Sequence, residues 1–465
     1  MRPGFDLKGR RVLVVGLGRT GLVTSLFAAG YGATVTATDM RTESDLGETA
    51  SKLRAAGVKL ELAGHVPSTF VGQDLIVVSP GVSSGLKPLE LARSSGVPVW
   101  SEIELAWRFM RGKLVAITGS NGKTTTTSLV SHILRTAGIN TLTGGNIGVP
   151  LLSLVESTTD STVTVAEVSS FQLETIEKFR PEIGILLNLT PDHLDRHASF
   201  EEYAAAKMRL FENQLQRDFA VLNADDPEVT KRMPVGPEIV WFSRRKRVAQ
   251  GAFLQGDQIT IRHNDSDLAV GRRDEISLRG EHNLENVLAA CAAAHLAGAA
   301  PADIAAGVKT FRGVEHRLEL VGEIGGVEFY NDSKATNVDA ALKAIEAFAG
   351  PLIVILGGKD KGSPYSPLKE PLRRRARQVI LIGAAAEKIA SDLGTGLSIF
   401  QAGTLDRAVQ AAKEQAQPGD VVLLAPACSS FDQFENYEHR GRVFKRLVEK
   451  SASEASDKNA VARKG

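Results

Sequence analysis

The sequence predicts an α/β protein of three domains, each built on a parallel sheet flanked by helices. Short apolar strands alternate with helix-length stretches in three groups, and two of these groups open with a strand followed by a glycine turn. At 465 residues the chain is too long for one hydrophobic core. We expect boundaries at 1–104, 105–313 and 314–450, and a disordered tail over Ser451–Gly465, which is small and charged.

The first group contains a glycine turn that is typical of a Rossmann-like domain. Gly16 to Gly21 reads G-x-G-x-x-G directly after an apolar strand, the pattern of a dinucleotide-binding turn. On this segment alone, an NAD(P)-dependent oxidoreductase is the favoured interpretation. A helix over Ser101–Gly112 is expected to end the segment. The predicted strands are Arg11–Val15, Thr34–Thr38, Leu75–Val78 and Val97–Trp100.

The second group opens with a different glycine turn, "TGSNGKTT", after the predicted strand Leu114–Thr118. Backbone N–H groups in such a turn, together with the following helix N-terminus, cradle phosphate oxygens. Lys123 can reach the β- and γ-phosphates, and the hydroxyl after it can bind Mg²⁺. Ile117 stands where the full Walker pattern has its first glycine, so the loop is a shortened variant. The alternative is a capped helix start with a chance GKT, but the strand and helix flanks favour a phosphate site.

Two later strands of the second group end in residues suited to a metal. "TVTVAE" ends at Glu167, and "EIGILLNLT" is followed by His193 and His197. The carboxyl ends of parallel strands meet at one sheet edge, so Glu167 and His193 are expected beside the phosphate loop and facing Mg²⁺. For His193 the alternative is a loop histidine satisfied by backbone groups.

The remaining elements complete a central P-loop α/β domain and a second Rossmann-like domain. "FAVLNADD" is read as a buried strand, the stretch Trp241–Arg279 as a small antiparallel excursion, and "HNLENVLAACAAAHLAG" as a helix. The third group begins near Val314, and its predicted strands are "PLIVILGG", "QVILIG" and "DVVLLAP".

Composition argues against nucleic-acid and membrane partners. The formal net charge is +1, and the basic runs Arg244–Arg247 and Arg373–Arg377 are short enough to be solvated faces. The sequence shows neither an apolar run of membrane-spanning length nor the apolar core of a signal peptide. Cys291 and Cys428 are the only cysteines, which favours a reducing, cytoplasmic compartment over a disulfide framework.

Eight motifs, in order along the chain, resemble those of the Mur ligases. They are "GSNGKTT", "EVSSFQLE", "NLTPDHLDRH", "YAAAK", "EHNLEN", "HRLE", "NDSKATN" and "ACSSFDQF". The resemblance covers all but about the last fifteen residues, and it implies an ATP-dependent amide-bond ligase of peptidoglycan precursor synthesis. "DSKATN" and "ACSSFDQF" are most similar to the members that add D-glutamate to UDP-N-acetylmuramoyl-L-alanine.

The resemblance gives the first glycine turn a different meaning. In this family the first domain holds the UDP end of the substrate, and the shared physics is a glycine turn that approaches a diphosphate. Asp39 and Arg41 are thereby implied to lie near the uridine. The implied substrate-binding residues are Gly18, Arg19, Thr20, Asp39, Arg41, Gly81 and Asn146.

The resemblance also implies a two-step reaction. The substrate carboxylate attacks the γ-phosphate of ATP, and the amine of D-glutamate then attacks the resulting acyl phosphate. Two anions meet in the first step, so positive charge is required at the site. The family implies two Mg²⁺ ions, the first on Thr124 and Glu167 and the second on His193. The implied catalytic residues are Lys123, Glu167, His193, Lys207 and Lys334.

Lys207 is an unusual neighbour for a cation, and the resemblance implies that CO₂ converts its amine to a carbamate. That modification requires a neutral amine, which a depressed lysine pKa would supply. The alternative is an ordinary surface lysine of a helix. The implied metal ligands are therefore Thr124, Glu167, His193 and carbamylated Lys207.

The remaining implied contacts fall in two sets. For D-glutamate, Lys359 competes with Lys361 because the turn reads "GGKDKG", and Tyr437 contributes either its backbone or its ring. Cys428 is expected to be a packed thiol. The ATP set is Gly119, Ser120, Asn121, Gly122, Lys123, Thr124, Thr125, Asn283, Asn286, Arg317 and Asp332, and the D-glutamate set is Thr336, Lys361, Ser430 and Tyr437.

Three alternatives to this function stay open from the sequence. One is the oxidoreductase, which only the first glycine turn favours. Another is a nucleotide sensor without catalysis, which the joint presence of Lys123, Glu167, His193 and Lys207 disfavours. The third is a sibling ligase that adds another amino acid. A monomer is expected.

Overall fold

The computed structural model describes residues 5–193, 196–278, 280–360, 362 and 364–462, with side chains described through Ser451. The chain divides into two compact units. The first contains residues 1–276 and 284–311, and the second contains residues 277–283 and 312–465. Every helix in the described part of the chain is too short or too polar to cross a lipid bilayer.

The first unit begins with a five-stranded parallel sheet in the order β3-β2-β1-β4-β5. The order reverses between β1 and β4, and this point is where such sheets bind ligands at their carboxyl edge. The strands are β1 (Arg11–Val15), β2 (Thr34–Thr38), β3 (Lys59–Glu61), β4 (Leu75–Val78) and β5 (Val99–Ser101); the helices are α1 (Arg19–Gly30), α2 (Glu43–Leu46), α3 (Glu48–Ala55), α4 (Pro67–Val71), α5 (Lys87–Ser94) and α6 (Glu102–Phe109).

The second sheet of the first unit has nine strands, in the order β14-β13-β12-β11-β10-β9-β6-β8-β7. Its strands are β6 (Lys113–Thr118), β7 (Thr141–Gly145), β8 (Val163–Glu167), β9 (Ile183–Leu186), β10 (Phe219–Asn223), β11 (Glu238–Ser243), β12 (Gly251–Gln255), β13 (Gln258–His263) and β14 (Ser266–Arg272). The helices of this part are α7 (Lys123–Thr136), α8 (Ser170–Leu173), α9 (Phe200–Met208), α10 (Pro227–Thr230), α11 (Glu281–Ala297) and α12 (Pro301–Thr310), and 3₁₀ turns cover Leu151–Ser157, Arg209–Phe211 and Arg273–Glu275.

The expected antiparallel excursion is only partly separate from the main sheet. β11 pairs in parallel with β10, and β12 pairs in parallel with β11, so both extend the central sheet. Only β12, β13 and β14 pair antiparallel. The glycine- and aspartate-rich composition indicated turns correctly, but it does not carry the parallel register of β11 and β12.

One core cluster runs through both sheets of the first unit. It contains Val12 and Val14 of β1 and Leu114 and Ala116 of β6, joined by side chains of α6 such as Leu105. Helix α6 therefore connects the two sheets through a shared apolar core and not as an exposed linker.

The second unit contains a six-stranded sheet in the order β15-β16-β20-β17-β18-β19, parallel except for the β15–β16 pair. Apolar clusters cover both of its faces. The strands are β15 (Glu319–Ile324), β16 (Val327–Asn331), β17 (Leu352–Gly357), β18 (Ala376–Ile382), β19 (Ile399–Gly403) and β20 (Val421–Leu424). The helices are α13 (Val338–Glu346), α14 (Lys369–Arg375), α15 (Ala386–Leu393), α16 (Leu405–Gln415) and α17 (Tyr437–Ala462), with a 3₁₀ turn over Ser366–Leu368.

The last helix extends further than the sequence indicated. α17 continues to Ala462, into the segment expected to be disordered. Alanine, glutamate and lysine in this segment are good helix formers, and they continue a helix that is already nucleated upstream. The compositional argument missed this because it considered the tail without the helix before it.

Candidate active site

The phosphate loop lies between β6 and α7, as predicted. Gly122 has φ of +83°, and a Cβ atom on it would lie 2.2 Å from Oδ1 of Asn286. Thr126 on α7 also donates its hydroxyl to that Oδ1, at 3.3 Å. Asn286, predicted to approach the adenine, is thus packed against the loop, and Asn283 lies one turn earlier on α11.

The loop is fastened to the segment that follows β9. The backbone N–H of Ser120 donates to the carbonyl of Asn188 at 3.0 Å, and that of Asn121 donates to the Asn188 side chain at 2.8 Å. The hydroxyl of Tyr203 donates to Ser120 Oγ at 3.0 Å. These bonds engage the N–H groups of Ser120 and Asn121 and position the loop, so the N–H groups at the start of α7 are the ones suited to a phosphate.

Two lysine amines meet at one carbonyl oxygen of the loop. Nζ of Lys123 donates to the oxygen of Gly119 at 2.8 Å, and Nζ of Lys207 donates to the same oxygen at 3.0 Å. Lys207 is 2% exposed, so it is not a surface lysine. Burial, and then the charge of Lys123, lower the pKa of Lys207 well below its ordinary value, while Asp192 and Glu167 oppose the shift.

Glu167 ends β8 beside the start of α7. Thr124 donates its hydroxyl to Oε2 of Glu167 at 2.8 Å, and the amide of Asn146 donates to Oε1 at 2.8 Å. A hydroxyl and a carboxylate are hard oxygen donors of the kind that Mg²⁺ prefers. The described residues hold no group of three or more His, Cys, Asp or Glu side chains arranged for a metal. The donor set fits Mg²⁺, which commonly takes one or two carboxylates and completes its shell with phosphates and water.

The two histidines after β9 lie in different environments. His193 has φ of +52° and a half-exposed side chain, and its ring centroid is 5.0 Å from that of Phe171. His197 is 2% exposed, and its Nε2 lies 3.1 Å from Oγ of Ser170. His193 is therefore accessible to a ligand, whereas His197 fills a structural role.

A cavity of about 630 Å³ opens at the switch point of the first sheet. Asn146 lines this cavity and also donates its side-chain amide to the Glu167 carboxylate, so one residue connects the cavity with the phosphate-loop region. All residues that the sequence assigned to the UDP substrate line the cavity: Gly18, Arg19, Thr20, Asp39, Arg41, Gly81 and Asn146.

Asp39 fixes the turn beside this cavity. Its carboxylate accepts the N–H of Leu17 at 2.6 Å and the guanidinium of Arg41 at 3.0 and 3.1 Å. Burial by itself would raise the pKa of Asp39, but the hydrogen bonds from Arg41 and Leu17 outweigh it and lower the pKa to about 2. The carboxylate is thus ionised and already engaged, so it orients Arg41 towards the cavity.

The glycine spacing of the first turn has a steric cause. A Cβ atom on Gly21 would lie 1.8 Å from the carbonyl oxygen of Gly16. Ser79, at the end of β4, donates its hydroxyl to that same oxygen at 2.7 Å. The close approach of α1 to β1 therefore requires glycine, whichever diphosphate the turn accepts.

The second unit places its predicted site residues after three neighbouring strands. Asp332, Lys334 and Thr336 follow β16, Ser430 follows β20, and Lys359 follows β17. Nζ of Lys334 donates to the hydroxyl of Tyr437 at 2.7 Å. Ser333 donates its hydroxyl to the carbonyl of Tyr437 at 2.8 Å, so both the ring hydroxyl and the backbone carbonyl of Tyr437 make hydrogen bonds within the second unit. Lys361 lies outside the described residues.

Asp332 is buried beside Arg317. Its Oδ1 accepts the N–H of Leu318 at 3.3 Å. Burial raises the pKa of Asp332 to about 7, although Arg317 and the Leu318 N–H act in the opposite direction. The pKa of the Asp332 carboxyl is therefore near neutral pH when the second unit is considered alone.

The sequence analysis missed Arg440, which is fully buried in the second unit. Its guanidinium donates to the Ser333 side chain at 3.0 Å, the Ser333 carbonyl at 3.0 Å and the Cys428 carbonyl at 3.2 Å. It thereby ties the Lys334 loop to the Ser430 loop. Nothing in its local sequence separates it from the other arginines of α17. Cys428 is a buried thiol beside Tyr365, as expected for a packing role.

Comparison with known proteins identifies the family to which the chain is similar. The chain matches the MurD-like N-terminal domain of Mur ligases over residues 10–101, the Mur ligase middle domain over 117–294, and the glutamate ligase domain of Mur ligases over 316–428. It is 51% identical to the UDP-N-acetylmuramoylalanine--D-glutamate ligase of Koribacter versatilis, over 97% of this chain and 99% of that protein. It is 52% identical to the protein of the same name in Acidobacterium capsulatum, over 98% and 100%.

Solved structures share the fold at lower identity. The UDP-N-acetylmuramate-alanine ligase of Thermotoga maritima is 19% identical with a TM-score of 0.57, covering 95% of this chain and 100% of that chain. A pseudomurein peptide ligase type C from Methanothermus fervidus is 22% identical with a TM-score of 0.56, with the same coverage. The sheet topologies, the phosphate loop and the near full-length identity lead to one conclusion: the chain belongs to the Mur ligase family.

Proposed function

We propose that this protein is an ATP-dependent ligase that joins D-glutamate to UDP-N-acetylmuramoyl-L-alanine. The observation that carries this proposal is the identity of 51–52% over nearly the whole chain with relatives named for that reaction. The cavity at the first sheet and the phosphate loop supply matching chemistry: a site for a nucleotide-linked substrate and a site for ATP phosphates.

The first step of the proposed reaction joins two anions. The substrate carboxylate attacks the γ-phosphate of ATP, which gives an acyl phosphate and ADP. Lys123 supplies positive charge at the phosphates, and the loop N–H groups hold their oxygens. Thr124 and Glu167 would hold a Mg²⁺ ion, and His193 a second one. Bound Mg²⁺ supplies charge neutralisation on the transferring phosphoryl group.

The second step forms the amide. The amine of D-glutamate attacks the acyl carbon, phosphate leaves from the tetrahedral intermediate, and the amine loses a proton. The acyl phosphate is needed because a free carboxylate would have to expel oxide. Thr336, Ser430, Tyr437 and Lys361 or Lys359 are proposed to bind the D-glutamate carboxylates, and Lys334 to face the reacting centre.

Lys207 is proposed to carry a carbamate that completes the second metal site. Its amine is buried and donates to the carbonyl oxygen of Gly119, to which the amine of Lys123 also donates. A carbamate would replace a second positive charge at this point with a negative one. Arg317, Asp332, Asn283 and Asn286 are proposed to contact the nucleotide. We also propose a cytoplasmic location, where ATP and UDP-linked precursors are available, and a monomeric state.

One assay tests the function. ADP release over many turnovers should require both UDP-N-acetylmuramoyl-L-alanine and D-glutamate, because without the amine the reaction stops at the acyl phosphate. L-Glutamate, L-alanine and meso-diaminopimelate, tested in the same assay, should support no more than a background rate. Turnover with one of these amino acids in preference to D-glutamate would contradict the proposal and identify a sibling ligase.

A further inference from the structure

Arg196 lies where three segments of the first unit meet, and the proposed reaction gives it no role. It follows His193 in the segment after β9. Its guanidinium donates from Nη1 to the carbonyl of Pro80 at 3.1 Å and from Nη2 to the carbonyl of Val82. The same group lies over the ring of Phe171 on α8, with Cζ 4.3 Å from the ring centroid. One side chain thus joins the segments that follow β4, β8 and β9.

The first of these segments forms part of the substrate cavity. Pro80, Gly81 and Val82 all line it, and we call them the Pro80–Val82 wall. Val82 also packs on the glycine turn, because a Cβ atom on Gly16 would lie 2.7 Å from Cγ2 of Val82. The wall to which Arg196 donates therefore lies beside the turn proposed to hold the diphosphate of the substrate.

The other two segments lead to the site proposed for phosphoryl transfer. The ring centroid of Phe171 lies 5.0 Å from that of His193 and 5.5 Å from that of His197. The next residue of α8, Gln172, lines the substrate cavity, and α8 follows the strand that ends at Glu167. Arg196 thus contacts elements on both sides of the path that one substrate molecule has to span.

The Pro80–Val82 wall is also fixed to the first sheet by its own backbone. The N–H of Ser79 donates to the carbonyl of Val15 at 3.0 Å, and the N–H of Val82 donates to the carbonyl of Ser79 at 2.9 Å. These bonds do not involve Arg196, so they are expected to keep the wall on the first sheet without it. What the guanidinium adds is a connection from this wall to the segments after β8 and β9.

We propose that Arg196 is a positioning residue that sets the distance between the cavity for the UDP end of the substrate and the site of phosphoryl transfer. This inference rests on the proposed function. Arg196 acts through the Pro80–Val82 wall and through Phe171, without touching the reacting atoms. Arginine suits this role because its planar fork donates to two carbonyls while its face lies on an aromatic ring. A misplacement of about 1 Å between reacting groups is enough to slow a reaction about 100-fold.

The full-length Arg196→Ala protein tests this proposal with two measurements. Calorimetry should give an affinity for UDP alone within about twofold of wild type, because UDP occupies one end of the path. Formation of the acyl phosphate at saturating UDP-N-acetylmuramoyl-L-alanine and ATP, trapped as a hydroxamate with hydroxylamine, should be at least about tenfold slower. Arg196→Lys should give an intermediate rate, since a single ammonium replaces the fork. In the matched control Arg111→Ala, which breaks a forked pair with the exposed Asp160, neither quantity should change.

Two results would overturn the proposal. One is a hydroxamate rate of Arg196→Ala within about twofold of wild type. The other is a loss of UDP affinity as large as the loss of rate, which would reduce Arg196 to a support of the cavity wall. Retained UDP binding also shows that the variant is folded. Absence of hydroxamate in the wild-type protein would instead contradict the proposed ligase reaction. Because the acyl phosphate is trapped before any amino acid adds, the comparison does not depend on which amino acid the ligase uses.

Discussion

At the level of single residues, the carbonyl oxygen of Gly119 is the point where Lys123 and Lys207 meet. The two amines lie 2.8 and 3.0 Å from it, and one of them belongs to a helix more than eighty positions further along the chain. Burial is the larger cause of the lowered pKa of Lys207, and repulsion from the charge of Lys123 at the same oxygen adds to it. The position therefore favours a neutral amine, which is the form that can react with CO₂.

Replacing Lys207 with alanine is expected to lower turnover at least about 100-fold, because a metal-orienting group is lost from the site. Formate or acetate in the assay should restore part of the rate by occupying the vacated space. The matched variant Lys123→Ala should also be inactive but should gain nothing from either acid, since it lacks a cation. Steady-state rates across a range of acid concentrations measure the effect.

Two results would contradict the proposal that Lys207 carries a carbamate. One is near-normal turnover of Lys207→Ala, which would leave the residue with no more than the small effect of a surface ion pair. The other is the absence of rescue together with the absence of a carbamate signal when the wild-type protein is equilibrated with ¹³C-labelled bicarbonate and examined by NMR.

Single residues also show how far the sequence determines the site. The glycine-lysine turn predicts the contacts of Gly122 and Lys123, because those depend on local backbone geometry. His193 and His197 follow the same strand and both contact Phe171, and only the fold shows that His193 is half exposed whereas His197 is buried beside Ser170. Arg440 gave no signal, since its contacts are with loops more than ten and more than one hundred residues away.

At the level of elements, the apolar strands were the most predictable. β1, β2 and β4 have the residues expected from the sequence, because β1 and β4 are mainly apolar runs and β2 is a buried run rich in β-branched residues. β3, with the sequence KLE, and β7, which ends in two glycines, were not predicted. Their place in the sheets comes from pairing with a neighbour and not from hydrophobic pattern.

Helix α6 was expected, but its buried acids were not. Oε2 of Glu104 accepts the N–H groups of Glu177, Lys178 and Phe179 at 2.7 to 2.9 Å. Oε1 of Glu102 accepts the N–H of Leu152 at 2.7 Å. Acidic residues in a first helical turn are normally solvated, so the sequence gave no reason to place them inside. Here they satisfy backbone groups that would otherwise be buried without partners.

Glu102 should make stability depend on pH. Burial raises its pKa from 4.5 to about 7, although the N–H groups of Leu152 and Leu151 act in the opposite direction. Between these two values the folded state binds more protons than the unfolded state, so the free energy of unfolding falls as pH rises through this range. In Glu102→Gln that loss is absent. The variant should therefore gain up to about 3 kcal/mol relative to wild type between pH 4.5 and pH 7.

Urea unfolding of both proteins at several values of pH measures this difference. A constant offset is expected from the altered hydrogen bonding of the amide, so the change in the difference with pH is the relevant quantity. Glu177→Gln is a suitable control because its carboxylate is half exposed. A difference that does not vary with pH would contradict the raised pKa of Glu102.

At the level of the whole molecule, the proposed chemistry divides between the two compact units. The first unit contains the substrate cavity, the phosphate loop, Glu167, His193 and Lys207. The second contains the loops after β16, β17 and β20, which Arg440 and the Lys359–Ser429 pairing hold together. The position of a residue directly after a predicted parallel strand predicts that it lies at the carboxyl edge of that sheet. The contact of Asn146 with Glu167 follows from the pairing of β7 with β8. The place of Asn146 in the substrate cavity depends on how the two sheets of the first unit pack, and sequence order does not predict it.

This division predicts that the two reaction steps can be separated by mutation. Ser430→Ala removes a buried hydroxyl in the second unit that is proposed to bind a D-glutamate carboxylate. Loss of a hydrogen bond to a charged group should raise the KM for D-glutamate about tenfold or more. Formation of the acyl phosphate, trapped as a hydroxamate with hydroxylamine when D-glutamate is omitted, should continue at the wild-type rate. Lys123→Ala should lose hydroxamate formation and turnover together, because the first step depends on its charge at the γ-phosphate. Loss of hydroxamate formation in Ser430→Ala, or an unchanged KM for D-glutamate, would contradict the assignment of amine capture to the second unit.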